Sequence, residues 1–523
     1  MLFKNYLLKF APALILGLTS LPTNASAEVF DGLIISNPVF SRTASLIDTN
    51  RQVVHSWNFA TTPAYVVYLM PDSSIWRPDV YSGAVMRGGV YGGLIQHYDW
   101  YGNIIKSFVW SDSNHQQHHD IHPMPNGHIL LLSWDRKTQT EAQAMGRVNI
   151  NGDMWAEEII EYDPETDSVV WEWHVWDHMI QDVDPSKPNY GVVREHPELI
   201  DINLGTLFMY GDWIHANIID YNEERDEIVF CSHFLNELYV IDHSTTTEEA
   251  KGHTGGRHGK GGDIIYRWGN PQNYDRGDST DQRFFVVHGA NWIRPGLPGA
   301  GNILVFNNGD RPGNNNDYSE VIEITPPLDS NDHYYIHPDS AFGPAAPTWI
   351  YSNPGTFYSG HMSGAYRLPN GNTFITEAVS GRLFEVTYEG QVVWECPTSS
   401  WNGRALKYPR NYLSSINQEL TAQPPNLRLI YKRINRSGEP VTIGFNLPIR
   451  GKVSLLIYDA LGRKIASLPL AMTEKGEYPA GEHQFQVSLP ERQNLTGVYF
   501  LQLIVNNPKQ SNRPVMGKII MTK

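Results

Sequence analysis

A strand-turn-strand phrase that ends in a tryptophan recurs along the chain, and this repeat constrains the fold more than any other feature. The copies end at or surround Trp57, Trp110, Trp173, Trp268, Trp349 and Trp394. Most copies join alternating β-branched residues to an Asp, Asn or Gly turn, which is typical of β-hairpins. A small antiparallel unit cannot bury its faces alone, but copies arranged around an axis can. The sequence therefore predicts an all-β fold, a six-bladed β-propeller.

Earlier strand pairs precede most of these phrases, but only five are visible for six blades. We expect the first blade, which ends at Trp57, to be completed by chain from the other end of the repeats, near residues 396–415. Such pairing would close the ring and remove two exposed sheet edges. Two polar insertions, over residues 136–155 and 178–213, are expected to be surface loops that roof a binding site.

The two ends of the chain differ from the repeats. Residues 1–27 combine two lysines, a short apolar run and a small-residue cleavage site, which predicts a signal peptide and export. No other stretch is apolar enough to cross a membrane. The propeller is assigned to residues 28–416, and residues 417–523 predict a separate small β-sandwich of short alternating strands. Cys231 and Cys396 lie in different repeats and are expected to be separate buried thiols.

Charge restricts the partners of the chain. It carries 56 acidic and 40 basic residues, a formal net charge of −16. Such a protein repels nucleic acids and anionic membrane surfaces, so an anionic ligand must be held by a local cationic pocket.

Histidines recur at one point of the repeat. His119, His215 and His288 occupy matched positions of three inner strands, where the next blade has Ser363, with His361 two residues earlier. Matched positions of inner strands face a common axis, so we expect these side chains to converge on one site. His118 is expected to point to the opposite face of its strand or further along the channel. Solvated positions are expected for His115, His178, His196, His253 and His258, while no role is assigned to His174.

Two further residues suggest an anion site. Arg311 lies in a Gly- and Asn-rich loop after a buried strand, and its planar guanidinium suits phosphate or sulfate oxygens. Asn291 could add an amide donor. The histidine segments lack the dense carboxylates of a metal cage, with only Asp120 nearby, so no metal and no cofactor are expected. A metal-dependent hydrolase and a noncatalytic ligand-binding propeller stay open as alternatives.

Over residues 95–400 the chain resembles the bacterial aryl-sulfate sulfotransferases that do not use phosphoadenosine phosphosulfate. The resemblance rests on phrases such as "HHDIHPMPNGHILLLSWDRKT", "DWIHANIIDYN", "YRWGNPQNY", "LPGAGNILVFNNGDRP" and "SGAYRLPNGNTFITEA". It implies a six-bladed propeller that moves a sulfuryl group from a phenolic sulfate ester to another phenol through a sulfohistidine.

The resemblance also implies roles for residues. The donor histidines of the family match His215 and His288, and its sulfate-binding arginine matches Arg311. The nucleophilic histidine belongs to the blade of His361, although the repeat places Ser363 at the matched position. Either His361 reaches the centre through a shifted strand, or His119 carries the chemistry.

The C-terminal segment has a resemblance of its own. The phrases "IYDALGRKI" and "GVYFLQL" resemble the C-terminal sorting domain of the type IX secretion system. This implies the type IX machinery as a partner and a secreted or cell-surface location reached through the periplasm. A homodimer is a further possibility that the sequence leaves open.

Overall fold

A computed structural model of the protein describes residues 28–207, 211–313, 317–398 and 401–413, and beyond them the backbone of eight strands between residues 430 and 521. The signal peptide expected over residues 1–27 and the predicted domain limit at residues 416 and 417 lie outside the described residues. The chain divides into two compact units. The first runs to Arg410 without Pro71–Ser73, and the second holds Pro71–Ser73 and residues 411–523.

The first unit contains six four-stranded antiparallel sheets, which form the six blades of the predicted propeller. Blade 1 holds β1 (Gly32–Ser36), β2 (Thr43–Asp48), β3 (Val53–Asn58) and, from the far end of the repeats, β26 (Leu406–Pro409). Blade 2 holds β4 (Tyr68–Leu69), β5 (Ile75–Val80), β6 (Gly93–Tyr98) and β7 (Ile104–Val109). Blade 3 holds β8 (His115–Pro123), β9 (Ile129–Lys137), β10 (Met154–Asp163) and β11 (Ser168–His174).

The remaining blades follow a short parallel pair, β12 (Met179–Ile180) and β13 (Ile200–Asp201). Blade 4 holds β14 (Ala216–Asn222), β15 (Glu227–Ser232), β16 (Glu237–Asp242) and β17 (Ile264–Trp268). Blade 5 holds β18 (Val287–Trp292), β19 (Ile303–Asn307), β20 (Glu320–Ile324) and β21 (Trp349–Ser352). Blade 6 holds β22 (Gly364–Arg367), β23 (Thr373–Glu377), β24 (Arg382–Val386) and β25 (Val392–Pro397), and β26 (Leu406–Pro409) returns to blade 1.

The ring is closed by strand pairing between the two ends of the repeats. Strand β26 is antiparallel to β1, with Gly32 opposite Pro409 and Ile35 opposite Leu406. The expectation that chain near residues 396–415 completes the first blade is therefore confirmed. Because both edges are paired, neither strand offers unpaired backbone groups at the seam.

The recurring tryptophans join each blade to the next. In five blades the indole N–H donates a hydrogen bond to a group of the following blade or its loops. The pairs are Trp110 to Ser133 Oγ (3.1 Å), Trp173 to Gly262 O (2.7 Å), Trp268 to Pro344 O (2.9 Å), Trp349 to Tyr388 O (2.6 Å) and Trp394 to Thr49 O (2.7 Å). In blade 1, Trp57 instead packs edge-on against Trp100 of blade 2, with centroids 5.2 Å apart. The sequence repeat thus marks the contacts between blades.

Helices are few among the described residues. The α-helices are α1 (Gln139–Ala144) and α2 (Thr247–Ala250), and 3-10 turns cover Val175–Asp177, Val193–Glu195, Pro271–Tyr274 and Arg410–Leu413. None of the described helices is long and apolar enough to span a bilayer. Both α-helices begin with a capping box, in which a threonine and a glutamate three residues later satisfy each other's backbone N–H.

The insertion over residues 178–213 differs from the expected polar surface loop. Its parallel pair β12–β13 places Ile180 and Ile200 in the core, where each is 2 % exposed or less. The segment contains apolar residues among its polar ones. Burial of these apolar side chains stabilises an ordered arrangement, although the composition is typical of a surface loop. Cys231 and Cys396 are free and buried, as expected.

The second unit consists of β27 (Ile430–Tyr431), β28 (Val441–Leu447), β29 (Gly451–Tyr458), β30 (Lys464–Leu470), β31 (Glu477–Tyr478), β32 (Gly481–Val487), β33 (Gly497–Asn506) and β34 (Val515–Met521). They form a three-stranded sheet, β27-β28-β32, and a sheet of order β30-β29-β33-β34 with β31 on β29. The face-to-face packing of a sandwich depends on side chains outside the described residues, so it stays a prediction.

Candidate active site

Two histidines on neighbouring blades share an unusual backbone conformation. His119 in β8 has a φ of 48°, and His215, immediately before β14, has a φ of 53°. This left-handed region is unfavourable for a residue that has a Cβ, so the surrounding sheet must hold it. A β-bulge shifts the strand pairing across His119 in β8, and another follows His215, between Ala216 and Ile219 of β14. The two rings meet, with centroids 4.7 Å apart.

Five imidazoles form a continuous row across blades 3, 4 and 5. In order, the members of this imidazole row are His118, His119, His215, His233 and His288. Successive ring centroids lie 5.2, 4.7, 5.1 and 5.1 Å apart. The structure thus brings together the three histidines that the repeat singled out, with His233 between two of them.

His118 does not point away from His119, as strand alternation predicts. The Nδ1 atoms of the two rings are 2.9 Å apart. Alternation requires extended backbone at every residue, and the left-handed turn at His119 interrupts it. Adjacent residues therefore present their side chains to the same cluster.

The middle and one end of the row are held by polar partners. His215, the middle member, is hydrogen-bonded through Nδ1 to Asp212 Oδ2. His288 Nδ1 donates to Asn308 Oδ1 at 2.6 Å, and its Nε2 accepts from the backbone N–H of Met362 at 3.3 Å. Both nitrogens of His288 are thus occupied, which fixes the neutral tautomer with the proton on Nδ1.

Burial and charge separate the imidazoles into two classes. Burial lowers the pKa of His118 and of His288 to about 3, and it lowers the pKa of His119 and His233 well below the ordinary range. Burial also opposes the charged form of His215, but the Asp212 carboxylate outweighs it and raises the pKa of His215. Burial thus favours the neutral form of four imidazoles, whereas Asp212 favours the charged form of His215.

A buried hydrogen-bonded chain leads from a carboxyl group to His119. Glu157 Oε2 lies 2.8 Å from His118 Nε2, and its Oε1 accepts from the backbone N–H of Ala216 at 2.9 Å. Burial, with the nearby Asp212 charge, raises the pKa of Glu157 well above its usual range and favours the neutral carboxyl. A neutral carboxyl donates to His118 Nε2, so His118 Nδ1–H donates to His119 Nδ1. The proton of His119 then lies on Nε2, the other side of its ring.

His361 lies near the His288 end of the row. Its side chain is exposed, and its ring stacks on Trp401 with centroids 6.2 Å apart. The charge of His361 acts on the pKa of both His233 and His288, so the ring lies within electrostatic range of them. The next residue, Met362, donates its backbone N–H to His288. This bond fixes the His361 loop at the end of the row.

Ser363, the residue at the matched position of blade 6, is buried and structural. Its hydroxyl donates to Ser359 Oγ at 3.0 Å and accepts from the backbone N–H of Ala378 at 3.1 Å. Its φ of 90° is again strained for a residue with a Cβ. Ser363 thus stabilises the loop from the matched position, and the histidine of this blade, His361, lies two residues earlier.

Arg311 and Asn291 are engaged in contacts of their own. The Arg311 guanidinium donates to Glu320 Oε2 at 2.7 Å and to the carbonyls of Gly309 and Tyr318, and no described contact joins it to the imidazole row. Asn291 donates its amide to the carbonyl of Ala365 at 2.8 Å, across to blade 6. Both side chains thus stabilise the structure around the site.

A buried arginine, Arg404, lies beside the inner strand of blade 3. Arg404 is 1 % exposed and donates to Asp120 Oδ1 at 2.7 Å and to the hydroxyl of Tyr68. Its Nε and Nη1 have no hydrogen-bond partner among the described residues. The raised pKa of Arg404 follows from Asp120 and the surrounding tyrosines, which outweigh the cost of burial. Asp120 is therefore an ion-pair partner of Arg404.

Four residues that hold the row were missed by sequence reasoning: His233, Asp212, Glu157 and Asn308. None lies at the matched inner-strand position, because they come from a loop, from β10 and from the residues after β15 and β19. The only local signal is Asp212, which precedes His215 by three residues in "DWIH".

Comparison with solved structures finds distant similarity. A protein of unknown function from Bacteroides caccae aligns with a TM-score of 0.40 at 9% identity, over 72% of this chain and 98% of that chain. A putative 6-phosphogluconolactonase from Bacteroides fragilis gives 0.35 at 9%, over 73% and 99%. Virginiamycin B lyase from Staphylococcus aureus gives 0.33 at 11%, over 70% and 85%. At these identities and TM-scores the three structures support no conclusion about function.

Comparison with curated proteins finds no match. A family model, in contrast, covers most of the propeller. The model described as arylsulfotransferase (ASST) matches residues 86–402, more than half of the chain. The matched segment includes the whole imidazole row, His361 and Arg311. The chain belongs to the arylsulfotransferase family.

Proposed function

We propose that the protein transfers a sulfuryl group from an aryl sulfate ester to a phenolic acceptor, with His361 as the nucleophile and a sulfohistidine as the intermediate. Membership of the arylsulfotransferase family supports sulfuryl transfer in general. The observation that carries the proposal is the imidazole row, in which one ring with a raised pKa lies among rings with lowered pKa values, near an exposed histidine. Such a cluster offers an acid, hydrogen-bond donors and a nucleophile together.

His215 is assigned the acid and anion-binding role. It is the one member of the row whose pKa is raised, because Asp212 stabilises its imidazolium. An imidazolium attracts sulfuryl oxygens and can protonate the departing phenolate. The same ring, once neutral, can accept the proton of the incoming phenol.

His119 is assigned a donor role instead of the attack on sulfur. The chain from Glu157 through His118 leaves the His119 proton on Nε2, and the Nδ1 lone pair is occupied by His118. A ring in this tautomer has no free lone pair, but its N–H can hold a sulfuryl oxygen. Donors placed in advance around developing charge lower the barrier.

His361 is assigned the nucleophile because it is exposed and adjoins the row. Its nitrogen attacks the sulfur, the bond between sulfur and the aryl oxygen breaks, and the electron pair leaves with that oxygen. The proton of His215 goes to the same oxygen, so a phenol departs. In the second half, the acceptor phenol gives its proton to His215 while its oxygen attacks the sulfur. The N–S bond breaks, and its electron pair returns to His361.

Arg311 and Asn291 are proposed as substrate-binding residues on weaker support. The guanidinium would have to exchange its bond with Glu320 for one with sulfate oxygens. His288 supports the reaction by position, because it holds the backbone of Met362 next to His361. No cofactor enters this scheme.

The test is turnover of 4-nitrophenyl sulfate by the purified protein, with and without phenol. We expect 4-nitrophenolate release that depends on phenol, loss of release in His361→Ala, and retention in His196→Ala. His196 is a matched control because its ring is exposed and bonds only Glu198 among the described residues. Absence of phenol-dependent release would refute transfer. Release that needs no phenol and stops with a chelator would identify a metal-dependent hydrolase.

We also propose that the protein is exported, with the C-terminal unit as the address for the type IX machinery. The proposal rests on the composition of residues 1–27 and on the resemblance of residues 417–523. Localisation of the protein in fractionated cells, with and without residues 417–523, tests it. Retention of the truncated protein in the periplasm is expected, and unchanged secretion would contradict it. A homodimer is tested separately by the mass of the purified protein in solution.

A further inference from the structure

The loop that connects α2 to β17 is unusually rich in glycine. Six of its residues are glycines: Gly252, Gly255, Gly256, Gly259, Gly261 and Gly262. Each glycine loses more backbone freedom on folding than other residues do, so an ordered loop of this composition needs stabilising contacts. Histidine and aspartate side chains provide such contacts at its two ends.

Three side chains of types that can bind a metal converge where this loop meets the segment after β11. His178 Nδ1 lies 2.9 Å from Asp263 Oδ1, and His253 Nδ1 lies 2.7 Å from the same oxygen. The three donor atoms all lie within 4.8 Å of one another. The His178 side chain is fully buried and that of Asp263 is 9 % exposed, whereas that of His253 is 59 % exposed. The cluster is therefore anchored inside and open on one side.

The surroundings of His178 orient it as metal ligands are oriented. Its Nε2 lies 2.8 Å from the carbonyl of Ala250, so this nitrogen carries a proton and donates it. The other nitrogen, Nδ1, faces the Asp263 carboxylate, and either a proton on Nδ1 or a metal ion can join these two atoms. A metal-binding histidine almost always donates its other N–H to a carbonyl or a carboxylate in this way.

The pocket around His178 is closely packed. Trp173 stacks parallel to its ring, with centroids 5.7 Å apart and planes 2° from parallel, and donates its indole N–H to Gly262 O. A Cβ at Gly262 would lie 1.9 Å from Ala250 O and 2.6 Å from His178 Nε2. Only glycine fits there, so the loop and the ring are held together in one arrangement.

We propose that His178, His253 and Asp263 bind a zinc ion, which clasps the glycine-rich loop of blade 4 to the segment that leaves blade 3. Two imidazoles and one carboxylate suit zinc better than calcium or magnesium, which prefer oxygen ligands. Bonds of about 2.1 Å in a tetrahedron separate the donor atoms by about 3.4 Å. The present separations of 2.7 and 2.9 Å must therefore widen slightly, and the exposed His253 can move. A water or an external ligand completes the fourth position.

A second cluster, Asp135, Glu158 and His174, is a weaker candidate. Its donor atoms also lie within 4.8 Å of one another. However, Lys137 Nζ already lies 2.5 Å from Asp135 Oδ2 and supplies the compensating charge. His174 is therefore a suitable control, because it belongs to a comparable cluster on the same protein.

The experiment is a calorimetric titration of the full-length protein, purified without a polyhistidine tag and treated with EDTA, with zinc chloride. We expect one saturable site, a rise in melting temperature with added zinc, and a visible absorption spectrum of tetrahedral cobalt when Co²⁺ replaces zinc. His253→Ala should weaken zinc binding at least about tenfold and abolish the zinc-dependent rise in melting temperature. His174→Ala should bind as the unchanged protein does.

Three results would overturn the proposal. These are no saturable zinc binding by the unchanged protein, equal binding by His253→Ala, and loss of binding in His174→Ala. Since His253 is largely exposed, its replacement leaves the core intact, and a cooperative melting transition of the variant verifies this. None of these readouts depends on sulfuryl transfer, so each proposal can fail without the other.

Discussion

Replacement of Glu157 tests the assignment of His119 as a donor. If Glu157 is a neutral carboxyl, Glu157→Gln reproduces both of its bonds. The glutamine amide N–H donates to His118 Nε2 in place of the carboxyl O–H, and the amide oxygen accepts from the N–H of Ala216. Glu157→Leu, of similar size, removes both bonds and leaves His119 free to adopt either tautomer.

The two variants should differ measurably. In Glu157→Leu two buried polar groups lose their partners, which costs roughly 1–3 kcal/mol each in folding stability. The hydrogen bond from His118 favours the Nε2–H tautomer of His119 over the Nδ1–H tautomer by about 1 kcal/mol. Glu157→Leu removes this preference, so its kcat should fall roughly fivefold. In Glu157→Gln both losses are absent, and kcat should stay close to that of the unchanged protein.

The measurements are urea unfolding and the rate of phenol-dependent 4-nitrophenolate release, both at neutral pH. The stability of the unchanged protein should also fall as pH rises, because the pKa of Glu157 is raised in the folded state. The stability that the neutral Glu157 carboxyl contributes is fully present below the pKa of this group in the unfolded chain. It is lost as the pH rises through the pKa of the same group in the folded protein. Glu157→Gln should remove this loss. If Glu157→Gln is as slow and unstable as Glu157→Leu, the carboxyl is ionised and the tautomer assigned to His119 is wrong.

Three other outcomes are expected. Asp212→Asn should lower the pKa of His215, so the fall of kcat with rising pH should begin at a lower pH; an unchanged pH profile would exclude His215 as the acid. Arg311→Met should raise the KM for 4-nitrophenyl sulfate about tenfold if the guanidinium binds sulfate, and an unchanged KM would restrict it to its own loop. Gly262→Ala should destabilise the protein by roughly 1–3 kcal/mol in thermal unfolding, whereas Gly252→Ala, with its nearest neighbours at 3.7 Å, should be much milder; equal effects would contradict the packing argument.

The number of blades was predictable because every blade contacts the next one through the same type of residue. A tryptophan at the end of each repeat bonds or packs against the next blade, so the requirement of the fold is repeated in the sequence. The same logic located the missing strand, since an unpaired first blade requires a partner near residues 396–415. Residues that join neighbouring blades can be recognised in the sequence, because they recur in every repeat.

The site was only partly predictable because much of it lies outside the repeat. His119 and His215 stand at matched positions, and their rings meet. His233 comes from a loop after a middle strand, and its place beside His288 depends on the curvature of the ring. His178 and His258 were expected to be solvated because they lie in loop-like sequence, but both are buried: His178 stacks on Trp173, and His258 Nε2 lies 2.9 Å from Glu227 Oε1.

Arg311 shows a second limit of sequence reasoning. A cation in a glycine-rich loop favours an anion site, yet its partner Glu320 lies nine residues away, at the start of β20. The return of the chain across this hairpin decides which anion the guanidinium meets first. Composition alone does not show whether a charge is already neutralised within the fold.

Identification of the sulfated residue tests the proposed transfer most directly. The protein is incubated with 4-nitrophenyl sulfate without acceptor, quenched at alkaline pH, digested, and analysed by mass spectrometry. We expect one added SO₃ group on the peptide that contains His361, which disappears after addition of phenol and never forms in His361→Ala. A sulfated His119, or a protein that turns over the donor with phenol and carries no sulfated histidine, would contradict the proposed mechanism.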